Sequence, residues 1–394
     1  MATQTVDGPK RGSFLSDQRT RAILFQGLAF FLVVVFFVYI GTNTARNLEA
    51  LGISTGFDFL NAPAGYDVAM SLIPYTATDT HGRVFFVGLL NTLSVAATGI
   101  FAATILGVIL GVLRLSKNWL VSKLVYCYVE VVRNIPLLLQ ILFWYAVLIT
   151  LPHPKKSIIF LNDSIFLNKR GLYMPEPLTG DGFGLILIAL LVALIIVPIM
   201  SRMAKKRQEA TGQIFPVFLT SVGLIIGLPL LAAIVTGFPV TFEYPELKGF
   251  NFKGGMVLRP EFVALWFALT VYTAAFIAEI VRAGIQAVSH GQSEAAFSLG
   301  LKPSWTTRMI ILPQALRVIV PPLTSQYLNL TKNSSLAIAI GYPDLVATFG
   351  GTSLNQTGQA IEVIMITMLV YLSISLLISM MMNYYNKRIA LVER

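Results

Sequence analysis

The stretch that decides the fold reads GIQAVSHGQSEAAFSLGLKPSWTTRMIILPQALR and runs from Gly284 to Arg317, between two apolar segments. Ser293 is a residue type that caps the start of a helix, and Glu294 follows where the helix dipole favours a negative charge. The two alanines after Glu294 favour helix and add little bulk. Gly300 is typical of the position that ends a helix. The pattern predicts a short helix with a smooth face, which a groove on another protein could hold closely.

The rest of this stretch predicts the entry into the next membrane helix. Pro303 suits the first turn of a helix, and Pro313 is tolerated at a helix start for the same reason. We therefore interpret the stretch as a joint between two membrane helices that docks a separate protein. The residues predicted to form this docking segment are Ser293, Glu294, Ala295, Ala296, Gly300, Leu301, Ile310, Leu312 and Pro313.

Composition identifies the environment of the chain. Of its 394 residues, 55% are hydrophobic and 12% are charged, well below the charged fraction of about 25% in soluble domains. Its net charge of +10 comes from Lys and Arg scattered between apolar segments, which is typical of membrane topology and not of a nucleic-acid site. A single cysteine, Cys127, excludes a disulfide within the chain, and the three histidines lie far apart, so no metal site is predicted.

The apolar pattern predicts an all-α integral membrane protein with about eight transmembrane helices, since about 20 apolar residues cross a bilayer. The apolar segments are 22–41, 85–113, 121–150, 183–201, 213–236, 257–287, 311–333 and 360–386. Pro136 lies inside the third segment and suits the first turn of a helix, so the stretch from Leu120 to Arg133 is expected to lie along the membrane interface before a shorter span begins. The first segment lacks a cleavage pattern close behind it and is predicted to be a retained span.

The distribution of Lys and Arg predicts which loops face the cytoplasm. With an internal N-terminus, sixteen of these residues fall on the cytoplasmic side and nine on the outer side. Both termini are therefore predicted to be cytoplasmic, with an N-terminal tail over residues 1–21. The same count places the loop 289–312 in the cytoplasm. The outer segments are too short to be catalytic domains and are expected to cap the pore or touch a partner; they are 42–83, 151–182 and 241–260.

The cytoplasmic stretch resembles the signature of the inner-membrane permeases of ABC importers. That signature is Glu-Ala-Ala, three residues, Gly, nine residues, Ile, one residue and Leu-Pro, and it matches at Glu294, Ala295, Ala296, Gly300, Ile310, Leu312 and Pro313. The resemblance implies that this loop is the coupling helix gripped by an ATP-hydrolysing subunit. It also implies a type I importer core of five membrane helices over residues 85–150 and 257–390. The segment 22–84, with the first helix and an external loop, and the insertion 151–256, with two helices, are then additional.

Further stretches resemble the polar amino-acid branch of these permeases, of the histidine and glutamine type. YVEVVRNIPLLLQILFWY, from Tyr128 to Tyr145, contains that branch's Glu, Arg, Pro-Leu-Leu and Gln. AAFIAEIVRAGIQAV, from Ala274 to Val288, matches a second stretch with Phe276 in place of Tyr. The match continues from Leu312 to Leu336, although Asn333–Ser334 stands where Asp and Thr are frequent. The insertion is most similar to the larger permease subunits of general L-amino-acid import systems of proteobacteria, which pair two different permeases.

Two ionisable pairs lie in predicted membrane helices: Glu130 with Arg133, and Glu279 with Arg282. The residues of each pair are three positions apart and share a helix face, so each pair can neutralise itself or line a polar path. An amino acid carries both an ammonium and a carboxylate, and either pair could meet both. Because both pairs lie towards the cytoplasmic ends, a structural ion pair is the competing interpretation. Further candidates for the substrate path are Gln140, Arg317, Asn329 and Lys332.

The sequence contains no phosphate loop of the form GxxxxGK[ST]. The chain is therefore not expected to be an enzyme or to bind a cofactor. ATP and Mg are expected at partner subunits. The resemblance implies a permease subunit of the bacterial inner membrane that passes L-amino acids, polar or of broad range, inward. Its implied partners are a second permease, two ATP-binding subunits, a periplasmic solute-binding protein and membrane lipid. The alternatives are an ion-coupled secondary amino-acid transporter and a membrane assembly subunit without a substrate path.

Overall fold

The computed structural model describes residues 18–50, 52 and 55–389, so most of the predicted tail 1–21 lies outside the described residues. The helices are α1 (Gln18–Ala50), α2 (His81–Arg114), α3 (Trp119–Asn134), α4 (Leu137–Ile149), α5 (Phe183–Thr211), α6 (Val217–Val235), α7 (Pro260–Gln286), α8 (His290–Ser298), α9 (Pro303–Thr306), α10 (Leu312–Asn333), α11 (Leu354–Thr357) and α12 (Ala360–Ile389). The strands are β1 (Ile158–Phe160), β2 (Ile165–Asn168), β3 (Gly171–Met174), β4 (Glu176–Thr179), β5 (Val240–Glu243), β6 (Glu246–Lys248), β7 (Asn251–Lys253) and β8 (Met256–Leu258).

Six described helices are long and apolar enough to cross a membrane: α1, α2, α5, α6, α7 and α12. The pair α3 and α4 passes the same criterion jointly but is bent by 105°. The predicted third helix is thus broken at Pro136, as its position in the sequence indicated. Helix α10 is less apolar and falls outside this group. The chain is a multi-pass membrane protein with six or seven candidate spans among the described residues.

The centre of the bundle is the packing of α2 against α7. Small residues recur every four positions along α2, at Gly99, Ala103, Gly107 and Gly111, and all four are buried. A Cβ at Gly107 would lie 2.6 Å from the Cβ of Ile277, so the two helix backbones approach more closely than any larger residue allows. Small residues at such spacing are how membrane helices reach close contact without a hydrophobic driving force.

The prediction of an all-α protein is wrong for the outer segments 151–182 and 241–260. The strands before the α5–α6 pair join the strands after it: β3 is antiparallel to β8, and β4 is antiparallel to β5. Strands β1, β2, β3 and β8 form one four-stranded sheet. The buried Tyr173 ring of β3 packs on the buried Phe252 ring of β7, which pairs with β6 in a separate sheet, at 4.9 Å. The β-structure therefore closes the base of the α5–α6 hairpin, which periodicity in either segment alone did not indicate.

The outer loop before α2 is fixed to the segment that follows α10. The Tyr66 hydroxyl donates to the Thr348 carbonyl at 3.1 Å and lies 2.9 Å from the Ser353 hydroxyl. Burial raises the pKa of Tyr66 to about 12, against the opposing effect of the Ser353 bond, so the phenol is neutral at physiological pH. The Gly56 amide donates to the Glu362 carboxylate at 2.7 Å. These bonds make the loop part of the folded core.

Candidate functional site

The docking segment forms helix α8, but its first residue differs from the prediction. The helix begins at His290, and Ser289 occupies the N-cap position, with φ −56° and ψ 136°, although its side chain makes no capping hydrogen bond. Ser293 therefore lies inside the helix and does not cap it. Glu294 lies in the second turn, beyond the reach of the helix dipole at the first turn. Both serines are good caps by residue type, and the end of α7 at Gln286 makes the earlier one the first available.

The end of α8 is as predicted from Gly300. Gly300 has a left-handed backbone with φ +77°, and its amide donates to the Phe297 carbonyl at 2.9 Å. The Leu301 amide donates to the Ala296 carbonyl at 3.1 Å. These two bonds form the Schellman motif, which satisfies the last carbonyls of a helix and needs a residue that tolerates positive φ. The site residues Gly300 and Leu301 thus fix where α8 stops.

The two alanines of α8 have different surroundings. Ala296 is buried, whereas Ala295 and Glu294 face solvent. Large apolar side chains around the helix are also exposed: Phe297, Leu299, Trp305 and Met309. These four residues, which we call the docking patch, lie outside every candidate membrane span among the described residues. Apolar side chains clustered on a water-facing segment mark an interaction site.

A continuous helical path leads from α9 into α10, and α8 packs against its first turns. Pro303 is the first residue of α9, and Pro313 lies in the first turn of α10, as predicted. Between them the residues Thr307–Ile311 form a π-helical turn. Pro313 has no amide hydrogen to donate within a helix, and a wide turn before it accommodates this loss. Ile310 lies in the π turn and Leu312 begins α10. Helix α8 packs against α9 and the π turn, so displacement of α8 would reach α10 through this contact.

The second cluster joins the ends of three membrane helices near α8. Glu279 of α7 forms ion pairs with Arg282 on the same helix and with Arg114 at the end of α2. The Arg282 Nε also donates to Glu279 Oε2 at 3.2 Å. Glu130 of α3 lies 3.9 Å from the Arg114 guanidinium. The predicted pair Glu279–Arg282 is therefore confirmed, and Arg114 is the residue that the sequence interpretation missed.

The predicted pair Glu130–Arg133 does not form among the described ion pairs. The Arg133 guanidinium lies over the Phe276 ring, 5.0 Å from its centre, and its buried Nε has no hydrogen-bond partner in the described residues. Cation–π attraction in a poorly solvated site competes with a partly exposed i, i+3 pair. Glu130 is instead oriented toward Arg114. Glu279 is already engaged by both Arg114 and Arg282, which favours the structural interpretation of this cluster.

Gln140 stabilises the bend between α3 and α4. Pro136 cannot donate to the Val132 carbonyl four residues earlier, and the Gln140 side chain supplies the missing donor at 2.9 Å. The same Nε2 donates to the Ile135 carbonyl at 3.0 Å. The Gln140 side chain is buried, so it lines the bend and not an open path.

Replacement of Gln140 by leucine is expected to destabilise the protein by about 1–3 kcal/mol, because two buried carbonyls would lose their donor while the volume is kept. Thermal unfolding of the purified protein measures this loss. Gln314→Leu is the control, since the Gln314 side chain makes a single main-chain bond, to the Ile310 carbonyl, and its other partner is the exposed Gln292 side chain, so a smaller loss is expected. Equal losses for the two variants would contradict the role of Gln140.

The remaining substrate-path candidates all lie on α10 but not on one face. Asn329 and Lys332 are exposed, and they continue a line of exposed residues through Val318, Pro322 and Ser325, three or four positions apart. This line is one face of the helix, uncovered by the described residues. Arg317 is half-buried and precedes Val318, which places it about 100° around the helix. The structure thus groups Asn329 and Lys332 on a polar face and separates Arg317 from them.

The outer end carries a separate cationic surface. A cavity of about 460 Å³ below the β-structure is lined by Lys169, Arg170 and Arg259, among others. The pKa of the neighbouring His153 is lowered, first by desolvation and then by the positive charges of Lys169, Arg170 and Lys155. His153 is therefore neutral at physiological pH, and the charge of this surface comes from Lys and Arg.

Comparison with known proteins assigns the chain to a family. Residues 210–391 match the model for "Binding-protein-dependent transport system inner membrane component". The chain is 53% identical over 383 residues to the general L-amino acid transport system permease AapQ of Rhizobium johnstonii, covering 97% of this chain and 95% of that one. It is 56% identical over 380 residues to the putative amino-acid ABC transporter permease YhdX of Escherichia coli, covering 96% of each.

A third relative and one solved structure complete the comparison. The glutamate/glutamine/aspartate/asparagine transport permease BztB of Rhodobacter capsulatus is 47% identical over 423 residues, with 98% of this chain and 99% of that one covered. A crystal structure of an amino acid ABC transporter with histidines aligns at a TM-score of 0.45 and 20% identity, covering 78% of this chain and 95% of that one.

The full-length relatives, the family model and the bundle of membrane helices define the class of protein: the chain belongs to the inner-membrane permeases of ABC importers. Within that family it belongs to the amino-acid branch and resembles the permeases of general L-amino-acid systems. Members of this family are transport subunits and not enzymes, and they work with nucleotide-binding subunits and binding proteins.

Proposed function

We propose that this chain moves L-amino acids inward across the bacterial inner membrane when ATP-binding subunits displace helix α8. The observation that carries the proposal is the continuous helical path from α9, through the π turn, into α10, with α8 packed against its first turns. The other end of α10 bears the polar face with Asn329 and Lys332. The path from α9 to α10 therefore links a surface suited to a driving protein with a surface suited to a polar substrate.

The proposal includes eight membrane crossings, with both termini in the cytoplasm. Helix α10 is 22 residues long, or about 33 Å, which is enough to cross a hydrocarbon core of about 30 Å. Its exposed polar face accounts for its lower apolarity. The bent pair α3–α4 supplies the remaining crossing. In this arrangement residues 85–150 and 257–390 form the permease core, and 22–84 and 151–256 are additions to it.

The exposed face of α10 requires another protein beside it, because Asn329 and Lys332 would otherwise face lipid. A second, homologous permease subunit fits this requirement, with the substrate path between the two copies of the core. Two ATP-binding subunits then hold ATP and Mg, and a periplasmic solute-binding protein delivers the amino acid. The cationic surface below the β-structure lies on the outer side in this topology, where that delivery takes place.

The proposed mechanism is alternating access. ATP-driven closure of the two ATP-binding subunits would push α8 of each permease toward the membrane. Because α8 packs against α9 and the π turn, which continue into α10, the displacement reorients the polar face of α10. Glu279 keeps α2 and α7 joined during this motion through its ion pairs with Arg114 and Arg282. The substrate path would then open alternately to the binding protein and to the cytoplasm.

Reconstitution of the purified complex in liposomes tests the proposed function. Uptake of a labelled L-amino acid mixture should require external binding protein, internal ATP and the ATP-binding subunits together. Uptake that persists without ATP-binding subunits and follows an ion gradient would establish the secondary transporter instead. A complex that hydrolyses ATP but moves no amino acid under any condition would establish an assembly subunit.

Charge reversal at Glu294 is expected to weaken docking of the ATP-binding subunit at least about tenfold. The introduced positive charge would lose any cationic partner of Glu294 at the interface and repel it, at a cost of more than about 1.4 kcal/mol. Glu294 is exposed, and its contact with His290 is long at 3.8 Å, so the fold itself does not depend on the carboxylate. Co-purification of the ATP-binding subunit with Glu294→Lys measures the loss.

The matched control is Glu246→Lys, an equally exposed carboxylate in the β-structure whose partner is Lys248 at 3.0 Å. This variant should co-purify with the ATP-binding subunit as the unaltered chain does. If Glu294→Lys retained the subunit and its transport-coupled ATP hydrolysis, α8 would not be the docking element.

A further inference from the structure

The α5–α6 hairpin stands beside the bundle with its apolar surface uncovered. In the most apolar stretch of α5 only 6% of residues are buried, and in that of α6 none are. The two helices pack chiefly on one another and are joined to the rest of the chain by the β-structure. The hairpin is therefore surrounded by lipid on most sides, unless another subunit covers it.

The two helices of this hairpin differ in length. The part of α5 that extends beyond α6 is charged, whereas the rest of α5 is apolar. Helix α5 has 29 residues and α6 has 19, so α5 extends beyond α6 by about 15 Å. The apolar part of α5 runs from Phe183 to Met200, about 27 Å, which nearly matches the hydrocarbon core. Residues from Arg202 onward thus lie at the level of the lipid headgroups.

A cavity of about 370 Å³ lies at this boundary. Its wall is one stripe of α5, from Ile196 through Ile199 and Met203 to Arg207, with members three or four positions apart. Phe215, in the connection to α6, closes the other side. The lining is apolar except at the end formed by Arg207. A cavity that is apolar along a membrane helix and cationic at the headgroup level matches the shape and polarity of a phospholipid.

The positive charge at the polar end is not neutralised within the hairpin. Helix α5 carries a single carboxylate, Glu209, against four cations: Arg202, Lys205, Lys206 and Arg207. Helix α6 and the connection between the two helices contain no charged residue. Glu209 lies 4.0 Å from Lys205, and both side chains are largely exposed. Arg207 donates to the Gln213 side-chain carbonyl at 2.7 Å, which positions the guanidinium without cancelling its charge.

We propose that this cavity binds an anionic phospholipid, with an acyl chain along the stripe from Ile196 to Met203 and the phosphate at Arg207 and Lys206. Cations beside a membrane attract anionic headgroups, and long basic side chains extend to the headgroup level. A zwitterionic lipid fits the apolar wall equally well but leaves the added cations without a counter-charge. The site depends only on the hairpin crossing the membrane, and it is independent of amino-acid transport and of docking at α8.

Native mass spectrometry of the purified transporter complex tests the proposal. The complex is exposed in detergent to equal amounts of phosphatidylglycerol and phosphatidylcholine with identical acyl chains, and the retained lipid is counted. The unaltered complex should retain phosphatidylglycerol preferentially. The double variant Lys206→Gln/Arg207→Gln should reduce that retention by about fivefold for each charge removed. Equal retention of the two lipids by the unaltered complex would overturn the proposal.

Two further variants separate a defined site from diffuse charge. Lys155→Gln/Lys156→Gln removes the same number of exposed cations at the outer segment and should leave retention unchanged. Met203→Trp keeps every cation but fills the cavity from its exposed rim, since the Met203 side chain is 66% exposed, and should abolish the preference. Retention unaffected by Met203→Trp, or lost equally in the outer variant, would show that no cavity site exists.

Soluble anions distinguish a lipid site from a simple phosphate site. Inorganic phosphate or glycerol phosphate, added at the concentration of the lipid, should not displace phosphatidylglycerol, because neither contacts the apolar wall. Displacement by either anion would assign the site to phosphate and overturn the lipid proposal. Co-elution of all subunits in each variant confirms that the complex is intact before lipid is counted.

Discussion

Replacement of Gly111 by alanine is expected to lower the stability of the protein by about 1–3 kcal/mol, the range found when a close-packed core is overfilled. The added Cβ would lie 2.7 Å from the Cβ of Val281 and 2.8 Å from the Ala278 carbonyl oxygen. A backbone carbonyl cannot rotate away, and valine has one strongly preferred rotamer in a helix. The two helices must therefore separate near the end of α2, close to the ion pair between Arg114 and Glu279.

Gly99→Ala provides the control, because Gly99 belongs to the same four-residue series on α2 but lies against α10. A Cβ at Gly99 would meet the Leu330 side chain at 3.5 Å, an ordinary contact. Helix propensity favours alanine over glycine by about 1 kcal/mol, so this variant should be neutral or slightly more stable. Apparent melting temperatures of both variants in the same detergent measure the difference. Equal melting temperatures would show that α2 and α7 are not in the close contact described.

Local signals were sufficient for several helices and for the end of the docking segment, whereas α1 and α5 extend nine and ten residues beyond their predicted ends. The ends of α7, α10 and α12 lie within three residues of their predicted positions. Pro136 predicted the break between α3 and α4, and Gly300 predicted the end of α8. In each case the deciding property belongs to the residue itself: proline lacks an amide hydrogen, and glycine tolerates positive φ.

The start of α8 could not be decided in the same way, since Ser289 and Ser293 are chemically equivalent caps. The close approach of α2 to α7, by contrast, could have been predicted. Gly99, Ala103, Gly107 and Gly111 recur every four residues, a pattern that favours helix contact in membranes. The partner helix is not given by that pattern, however, because α7 begins more than 140 residues later.

The β-structure shows the limit set by long-range pairing. Its local hairpin was detectable: the residues Asn162 and Asp163, which connect β1 to β2, both have positive φ, and Asn and Asp are the non-glycine residues that best tolerate it. Its strands are three or four residues long, too short to give a strong alternating pattern. The sheet is completed by β8, which pairs with β3 across the whole α5–α6 hairpin.

The same limit explains the missed arginine. A rule based on spacing along one helix finds Glu279 with Arg282, but it cannot find Arg114, which is 165 residues away in sequence. Arg114 was interpreted only as a basic residue that sets topology. In the structure its side chain is 11% exposed and faces two carboxylates. A basic residue at a helix end can therefore both set topology and hold helices together.

Replacement of Glu279 by glutamine is expected to destabilise the protein by about 2–3 kcal/mol. Removing one partner of a buried ion pair leaves the other charge uncompensated, at a cost of about 3–5 kcal/mol when burial is complete. The Glu279 side chain is 25% exposed, so solvent screening reduces that cost. Arg114 and Arg282 would then repel one another without the carboxylate between them. Thermal unfolding of the complex, repeated in high salt, measures the loss and its electrostatic origin.

Glu130→Gln is the control that separates the two carboxylates facing Arg114. Glu130 is more exposed and lies 3.9 Å from the guanidinium, so its loss should cost less than about 1 kcal/mol. If both glutamine variants were equally stable, Glu279 would not be the centre of the cluster.

Amino-acid preference decides the remaining choice of role. If the ion pair only joins α2 to α7, Glu279→Gln should leave the relative uptake rates of different amino acids unchanged. If the carboxylate contacts the substrate ammonium, the same variant should lower the uptake of some amino acids more than others. Because the Glu279 carboxylate is already paired with Arg114 and Arg282, we expect the relative rates to be preserved.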